Sequence, residues 1–468
     1  MALSTETRAA TGQDLQSFIR FLEENHPDEV LRVSREVDPV FEVTAILWRL
    51  ENERRYPLVI FENVKGSSMP VVTNVHASFA RLAMSIGLPI DATPRDFVLE
   101  YMRREAEPIP PVLVDKESAP CKEIILTGDD VDLTKIPTLK YHELDSGQVD
   151  PGFESFQGRY ITLGYDTMKD PDTGVPNVGI YRLQIKSKNK MGIQISETAH
   201  GHYIMQKNLK RGKPTEMAVF TGIHPAVELG CLSFTSIDVD EFAIAGAMVG
   251  EPLEMVKCET IDVEVPAWAE LVLECEIHPT EREPEAPFGE YPGTYGPERN
   301  NPVVYCKAIT MRKNCHYHSS FVGHRDNLNL SGVTRNSQIY QTCRIASGAV
   351  KAVYVPPSGR SRYICYVQME KLIEGDPKNA AMAAFTADPF LKYVVVVDDD
   401  VDITNDSEVL HAIATRVRWD YDAFQVTYSR GSPLDPASYD PAGGSHGVCA
   451  APAVGARPGD HRAPRHRC

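Results

Sequence analysis

The sequence predicts a mixed α/β (α+β) protein laid out in three successive regions with an atypical tail. Three observations predict it. Over residues 1–120, apolar residues at helical spacing alternate with short apolar runs. Over 121–325, short β-type runs follow one another between turn residues, the pattern of a sheet or barrel rather than a bundle. Over 326–442, strand and helix patterns alternate again, as in a compact α/β domain.

The elements follow in order. Asp14 stands ahead of Leu15, Phe18, Ile19 and Leu22, which predicts a capped helix over 14–25. Val40, Phe41, Val43, Ile46, Leu47 and Leu50 predict a second helix, residues 57–61 a buried strand, and residues 94–106 a third helix. The runs 160–165, 179–185 and 271–277 read as strands, and 170–174 (Asp-Pro-Asp-Thr-Gly) as a turn. A helix with small residues at Ala243, Ala245, Gly246 and Ala247 is inserted over 240–250. Residues 363–367 and 393–397 read as strands, with an Ala-rich helix over 377–385 between them. Asn405, with Glu408 three residues on, caps a helix running through Val409, Ala412, Ile413 and Arg416. From Gly443 the composition shifts abruptly to Ala, Gly, Pro, Arg, His, Val and Cys. Residues 443–468 are read as either a disordered tail or a frame-shifted end.

Of 468 residues, 48 are Lys or Arg and 65 are Asp or Glu, a net charge of −17. That argues against nucleic acid or an anionic membrane surface as a general partner. No apolar run approaches the ~20 residues needed to span a bilayer, and residues 1–8 lack an apolar signal core. A soluble, cytoplasmic protein is expected. The ten cysteines include no C-x-x-C pair, so they read as small buried thiols rather than as a zinc ribbon or a thioredoxin-like site.

Four segments could carry chemistry. In Glu285-Ala286-Pro287-Phe288-Gly289-Glu290, two carboxylates flank a turn. A shared pocket would push their pKa values apart and leave one able to act as an acid; on spacing alone a solvated surface loop fits better. In Asn177-Val178-Gly179-Ile180-Tyr181-Arg182, Asn offers a neutral oxygen ligand and Arg a planar fork for a carboxylate. The plainer reading is a strand start. His200-Gly201-His202 and His316-Tyr317-His318 are His-x-His pairs that could ligate a metal from one strand face, or be polar strand faces. Neither has the third ligand of a known zinc signature nearby. Asp240-Glu241 stands at a helix start, where negative charge is favoured in any case. The basic run Lys207, Lys210, Arg211, Lys213 could face a phosphate but fits a solvated loop better; Asp398-Asp399-Asp400-Val401-Asp402 looks metal-like but lacks EF-hand spacing and reads rather as an exposed loop leading to a helix cap.

Taken in order, these segments resemble the UbiD family of decarboxylases, such as ferulic acid and 4-hydroxybenzoate decarboxylases, over residues 14–440. The match is Asn-x-Gly-Ile-Tyr-Arg, then His200, then Glu241 ahead of an Ala-Gly helix, then Glu-x-Pro-Phe-Gly-Glu. The resemblance implies a central split β-barrel-like domain binding prenylated FMN and a C-terminal α/β oligomerisation domain. It implies that Asn177, His200 and Glu241 hold Mn²⁺ (or Mg²⁺) against the flavin phosphate, and that K⁺ binds backbone oxygens near Gly230–Ser233. Gly179, Ile180, Arg182 and Lys392 would contact the cofactor. Arg182, Glu285 and Glu290 would be catalytic: a covalent substrate–cofactor adduct forms, CO₂ leaves, and Glu290 protonates the carbon left behind. The reaction is non-oxidative and reversible, on an α,β-unsaturated or (hetero)aromatic carboxylic acid. A UbiX-type flavin prenyltransferase would supply the cofactor, and a homodimer is expected. Two other readings are a catalytically idle flavin-binding protein of the same fold and an FMN-dependent oxidoreductase. The sequence departs from the family pattern at Ala199 and in the tail.

Overall fold

The computed structural model describes residues 12–437 and 447–452. The chain divides into two compact units. The first holds the residues up to Ala92 and Glu100–Leu330; the second holds Thr93–Leu99 and the residues from Ser331 onward.

Nine of the described strands build the main sheet of the first unit, with every pairing antiparallel. The order is Tyr160–Ile161, Arg182–Ile185, Lys190–Gln194, Arg299–Met311, Leu271–Glu285, Thr215–Thr221, Tyr165–Lys169, Pro176–Ile180, with Ile124–Thr127 also beside Arg299–Met311. This order dictates the shape. In a flat sheet the strands Pro176–Ile180 and Arg182–Ile185, six spacings apart in the order, would lie roughly 29 Å from one another. Only Tyr181 separates them in sequence. The sheet therefore curls until its two ends meet, giving the split-barrel form.

This also corrects the single strand expected over 179–185. The chain leaves one end of the sheet at Ile180 and enters the other at Arg182. At the crossing, the Tyr181 N–H donates to Asp166 Oδ2 (2.8 Å) instead of to a strand. The long pair Leu271–Glu285 and Arg299–Met311 shifts register between Glu274 and Cys275 and again between Ile277 and Arg282. Such bulges bend a strand and re-aim its end, and here that end carries Glu285.

A smaller sheet runs Val30–Val33, Leu58–Phe61, Val71–Thr73, Tyr317–His318. The helices Leu15–Asn25 and Glu42–Asn52 lie in the same region, the first capped by Asp14, whose carboxylate accepts from the Gln16 and Ser17 amides. The N-terminal and central regions share one core. Val37, Val43, Leu47 and Phe61 pack in the same apolar cluster as Leu183, Met191, Val219 and Leu273. That common burial is why the two sequence regions fold as one unit.

In the second unit, Ile364–Met369 and Tyr393–Asp398 pair in parallel, joined by the helix Asp376–Ala387, and Val350–Tyr354 adds an antiparallel edge. The helix Asp406–Arg416 has the expected Asn405 cap, whose oxygen accepts from the Ser407 amide (3.1 Å). The Arg416 fork takes Asp400 at 2.8 and 3.0 Å, which accounts for part of the acidic run without a metal. Of the unusual tail, Gly447–Pro452 forms a strand against Ala423–Ser429; the remainder of 443–468 lies outside the described residues. Among the described residues, no helix is long and apolar enough to cross a membrane. The eight cysteines from Cys121 to Cys365 are free thiols, and all but Cys258 are buried.

Candidate active site

The two sheet ends that meet at Tyr181 each bring one half of the site. On one side, Asn177 stands in the strand Pro176–Ile180. His200 and Glu241 are the first residues of the helices His200–Lys210 and Glu241–Val249. The second helix starts there because Asp240 accepts from the Phe242 amide (2.9 Å). Asn177 Nδ2 donates to Glu241 Oε1 at 2.7 Å and lies 3.4 Å from His200 Nδ1. The structure thus joins three residues that are far apart in sequence.

The donor set fits a divalent cation. It offers one amide oxygen, one imidazole and one carboxylate, a combination suited to a fairly hard, octahedral ion. Glu241 is 2% exposed. Its partners are the Asn177 amide and the Val178 N–H (3.4 Å), neither of them a cation. Burial pushes its carboxyl up to about 8. Burial also holds the His200 ring below its ordinary value, so it is neutral with a lone pair free to ligate. A cation at this point would supply the charge that the Glu241 carboxylate lacks.

His200 and His202 do not act as a pair. They were expected on one strand face, but they lie on a helix, where residues two apart point in different directions. The basic run closes the same helix. Lys207 bonds Asp170 (2.6 Å) and Asp172 (2.9 Å), and Arg211 pairs with Asp172, so these cations are already occupied. Gly179 has a local reason: a Cβ there would meet the Tyr181 hydroxyl at 2.8 Å.

On the other side of Tyr181, Arg182 opens its strand and reaches Glu285. The guanidinium makes a two-point fork, Nε to Oε1 at 2.9 Å and Nη2 to Oε2 at 2.8 Å. Its remaining Nη1 contacts Glu290 Oε1. Glu285 is fully buried and Glu290 is 8% exposed, so the solvated-loop reading of these two glutamates is overturned. Asn301 Nδ2 adds a bond to Glu285 Oε2 (2.7 Å), and the Phe288 ring lies 5.1 Å from the guanidinium carbon. Two carboxylates on one arginine form a group that can bind an anionic substrate and deliver a proton to it.

The sequence reading missed Asn301 and Asp145. Asn301 sits in an ordinary strand pattern and gives no signal. Asp145 holds the loop that carries Glu290: its carboxylate accepts from the Gly289 N–H and from the His142 N–H, both at 2.8 Å. Burial pushes its carboxyl from the ordinary 3.8 up to about 6. Between those two values the folded protein holds one proton more than the unfolded chain. Stability from this group therefore falls as pH rises from about 4 to about 6 and is level above that. Asp145→Asn should flatten that part of a denaturation-against-pH curve, and Asp145→Ala should cost about 1–3 kcal/mol by leaving two amides unpaired.

Family models of 3-octaprenyl-4-hydroxybenzoate carboxy-lyase match the chain in three consecutive parts. The N-terminal domain matches residues 21–100, the Rift-related domain 112–325 and the C-terminal domain 328–451. The chain belongs to the UbiD family. Like the family, it is a carboxy-lyase. Anhydromevalonate phosphate decarboxylase of Methanothermobacter thermautotrophicus is 33% identical, over 88% of this chain and 91% of that protein. The UbiD-class enzyme HmfF of Pelotomaculum thermopropionicum, solved in complex with FMN, superposes with a TM-score of 0.87 at 37% identity, covering 97% of both chains. Vanillic acid decarboxylase of Sedimentibacter hydroxybenzoicus superposes at 0.84 with 28% identity, over 98% of this chain and 95% of that one. The UbiD match to residue 451 takes in the first part of the unusual tail.

Lys392 belongs to the second unit, where its ammonium lies 2.8 and 3.0 Å from the two oxygens of Asp435.

Proposed function

We propose that this UbiD-family chain decarboxylates a small α,β-unsaturated or (hetero)aromatic carboxylic acid, using prenylated FMN and without net oxidation. The observation that carries the reading is Arg182 shared between Glu285 and Glu290, two residues past the strand Pro176–Ile180 whose Asn177 bonds Glu241. When bound, the modified flavin supplies an electron sink for the pair of electrons left as CO₂ departs.

The chain's own residues do the rest. Asn177, His200 and Glu241 would hold Mn²⁺ or Mg²⁺, supplying positive charge for the flavin phosphate in an acidic protein. Backbone oxygens at Gly230–Ser233 would hold K⁺, and Gly179 and Ile180 would line the cofactor. Arg182 orients the substrate carboxylate through its fork. Glu290 gives its proton to the carbon that bore the carboxylate and regains one from water. Glu285 takes the Arg182 fork at two points and fixes the guanidinium plane. The overall balance is one carboxylate and one proton in, one C–H bond and one CO₂ out. A UbiX-type prenyltransferase supplies the cofactor, and a cytoplasmic homodimer is part of the same reading. The alternatives, an idle flavin-binding protein or an FMN oxidoreductase, leave the Arg182–Glu285–Glu290 group without a task.

Expressing the protein with and without a flavin prenyltransferase tests this. The expected mass spectrum of the released ligand shows prenylated FMN only with the prenyltransferase. A folded protein that takes no flavin, or takes FMN and reduces it with NAD(P)H, sinks the reading. Glu241→Ala should lower divalent-ion affinity by at least ~10-fold, with parallel loss of retained flavin in the absorbance spectrum.

A further inference from the structure

A second buried cluster lies in the first unit, outside the residues assigned above. His76 follows the strand Val71–Thr73, Glu228 is on the helix Pro225–Cys231, and His318 ends the strand Tyr317–His318. The small sheet pairs His318 with Val72 in parallel, which brings the two histidine segments side by side. All three side chains are fully buried. His76 Nε2 contacts Glu228 Oε2, and His318 Nδ1 lies 3.1 Å from Glu228 Oε1. One ligand atom from each residue lies within 4.8 Å of the others, and among the described residues no other group of His, Cys, Asp and Glu does so.

Two independent features point to a ligand. Neither His318 Nδ1 nor Glu228 Oε1 is aligned for a hydrogen bond despite the close approach, and His318 Nε2 is buried without a partner. His76 Nε2 and Glu228 Oε2 hydrogen-bond one another, so the polar atoms left buried and open to a ligand are the His318 nitrogens and Glu228 Oε1. The other feature lies behind His76. Its Nδ1 is 3.3 Å from Asp326 Oδ1, and the same oxygen accepts from the His76 backbone N–H at 2.7 Å. A carboxylate behind a histidine is the usual support of a metal-ligating ring, fixing its tautomer and orientation.

We propose that His76, Glu228 and His318 bind a divalent transition metal, with zinc the best match, as a structural staple distinct from the flavin-associated ion. Two imidazole nitrogens and one carboxylate oxygen form a donor set that zinc takes readily and that calcium does not prefer. A tetrahedral zinc with bonds of ~2.0–2.1 Å sets its ligand atoms ~3.3 Å apart; the His318–Glu228 pair stands at 3.1 Å, while the His76–Glu228 pair is closer and would have to open on binding. The ion would tie together three segments that lie far apart in the chain.

Metal analysis of the purified full chain, grown with added zinc, tests this independently of the decarboxylase reading. The expected result is about one zinc per chain, retained in Asn177→Ala/Glu241→Ala and lost in His318→Gln. X-ray absorption at the zinc edge of the wild-type protein should show two imidazoles, a readout that stands even if His318→Gln does not fold. Stripping with phenanthroline should lower Tm, and zinc should restore it. Zinc at background level in the zinc-grown wild type, or zinc lost with Asn177→Ala/Glu241→Ala, would overturn the proposal. So would a Tm unmoved by stripping, as expected of a metal-free network of ion-paired imidazoliums.

Discussion

Glu290→Gln lowers decarboxylation by about 10²–10⁴-fold, the range for loss of a positioned general acid, while flavin content and fold are retained. The side chain keeps its size and its place beside Arg182 Nη1. What it loses is the acidic proton. The loop around it is held independently, by the Asp145 bonds to Gly289 and His142, so the substitution has little reason to disturb the backbone. The measurement is a single-turnover assay of CO₂ release, followed by deuterium uptake into product in D₂O. A variant within tenfold of wild type would remove Glu290 from its assigned role.

Arg182→Met has the largest expected effect on stability. Glu285 is fully buried, and without the fork it keeps only the Asn301 amide among its side-chain hydrogen-bond partners. Removing one partner of a buried ion pair costs about 3–5 kcal/mol, because a charge is left uncompensated. Denaturant unfolding measures this directly. Arg182→Met/Glu285→Gln should recover a large part of the loss, since neither side chain is then charged. Arg182→Lys keeps the charge but loses the two-point geometry, so it should fall between the two in stability and remain poor in turnover. Equal stability of Arg182→Met and wild type would mean that the fork contributes nothing to the fold.

Much of this was legible in the sequence because it rests on local signals. Helix caps at Asp14, Asp240 and Asn405 and the apolar spacing behind them need only neighbouring residues. The strand–helix–strand order of residues 364–398 is likewise written in periodicity. The ordered motifs around Asn177, His200, Glu241 and Glu285 were legible as a set, and the structure joins Asn177 to His200 and Glu241, and separately Arg182 to Glu285 and Glu290. What stayed hidden depends on the closure of the sheet. The break at Tyr181 has no mark in a continuous β-type run; it follows from the two sheet ends meeting there. His-x-His spacing misled at His200 because the chain turns helical at that residue. At His318 the neighbours, His76 and Glu228, come from segments more than 80 residues away and carry no shared motif. Asn301 and Asp145 support the site through single hydrogen bonds, which no pattern announces.

The central claim is that the Arg182–Glu285–Glu290 group removes CO₂ from an unsaturated or aromatic acid. The most direct test is CO₂ release by protein co-produced with a flavin prenyltransferase, across a panel of benzoic, heteroaromatic and acyclic α,β-unsaturated acids, beside Glu290→Gln. The account predicts CO₂ release from at least one class of acid, with the carbon retaining a solvent-derived hydrogen and with Glu290→Gln nearly silent. Protein loaded with prenylated FMN that releases no CO₂ from any acid in the panel, or releases it equally well as Glu290→Gln, would contradict it.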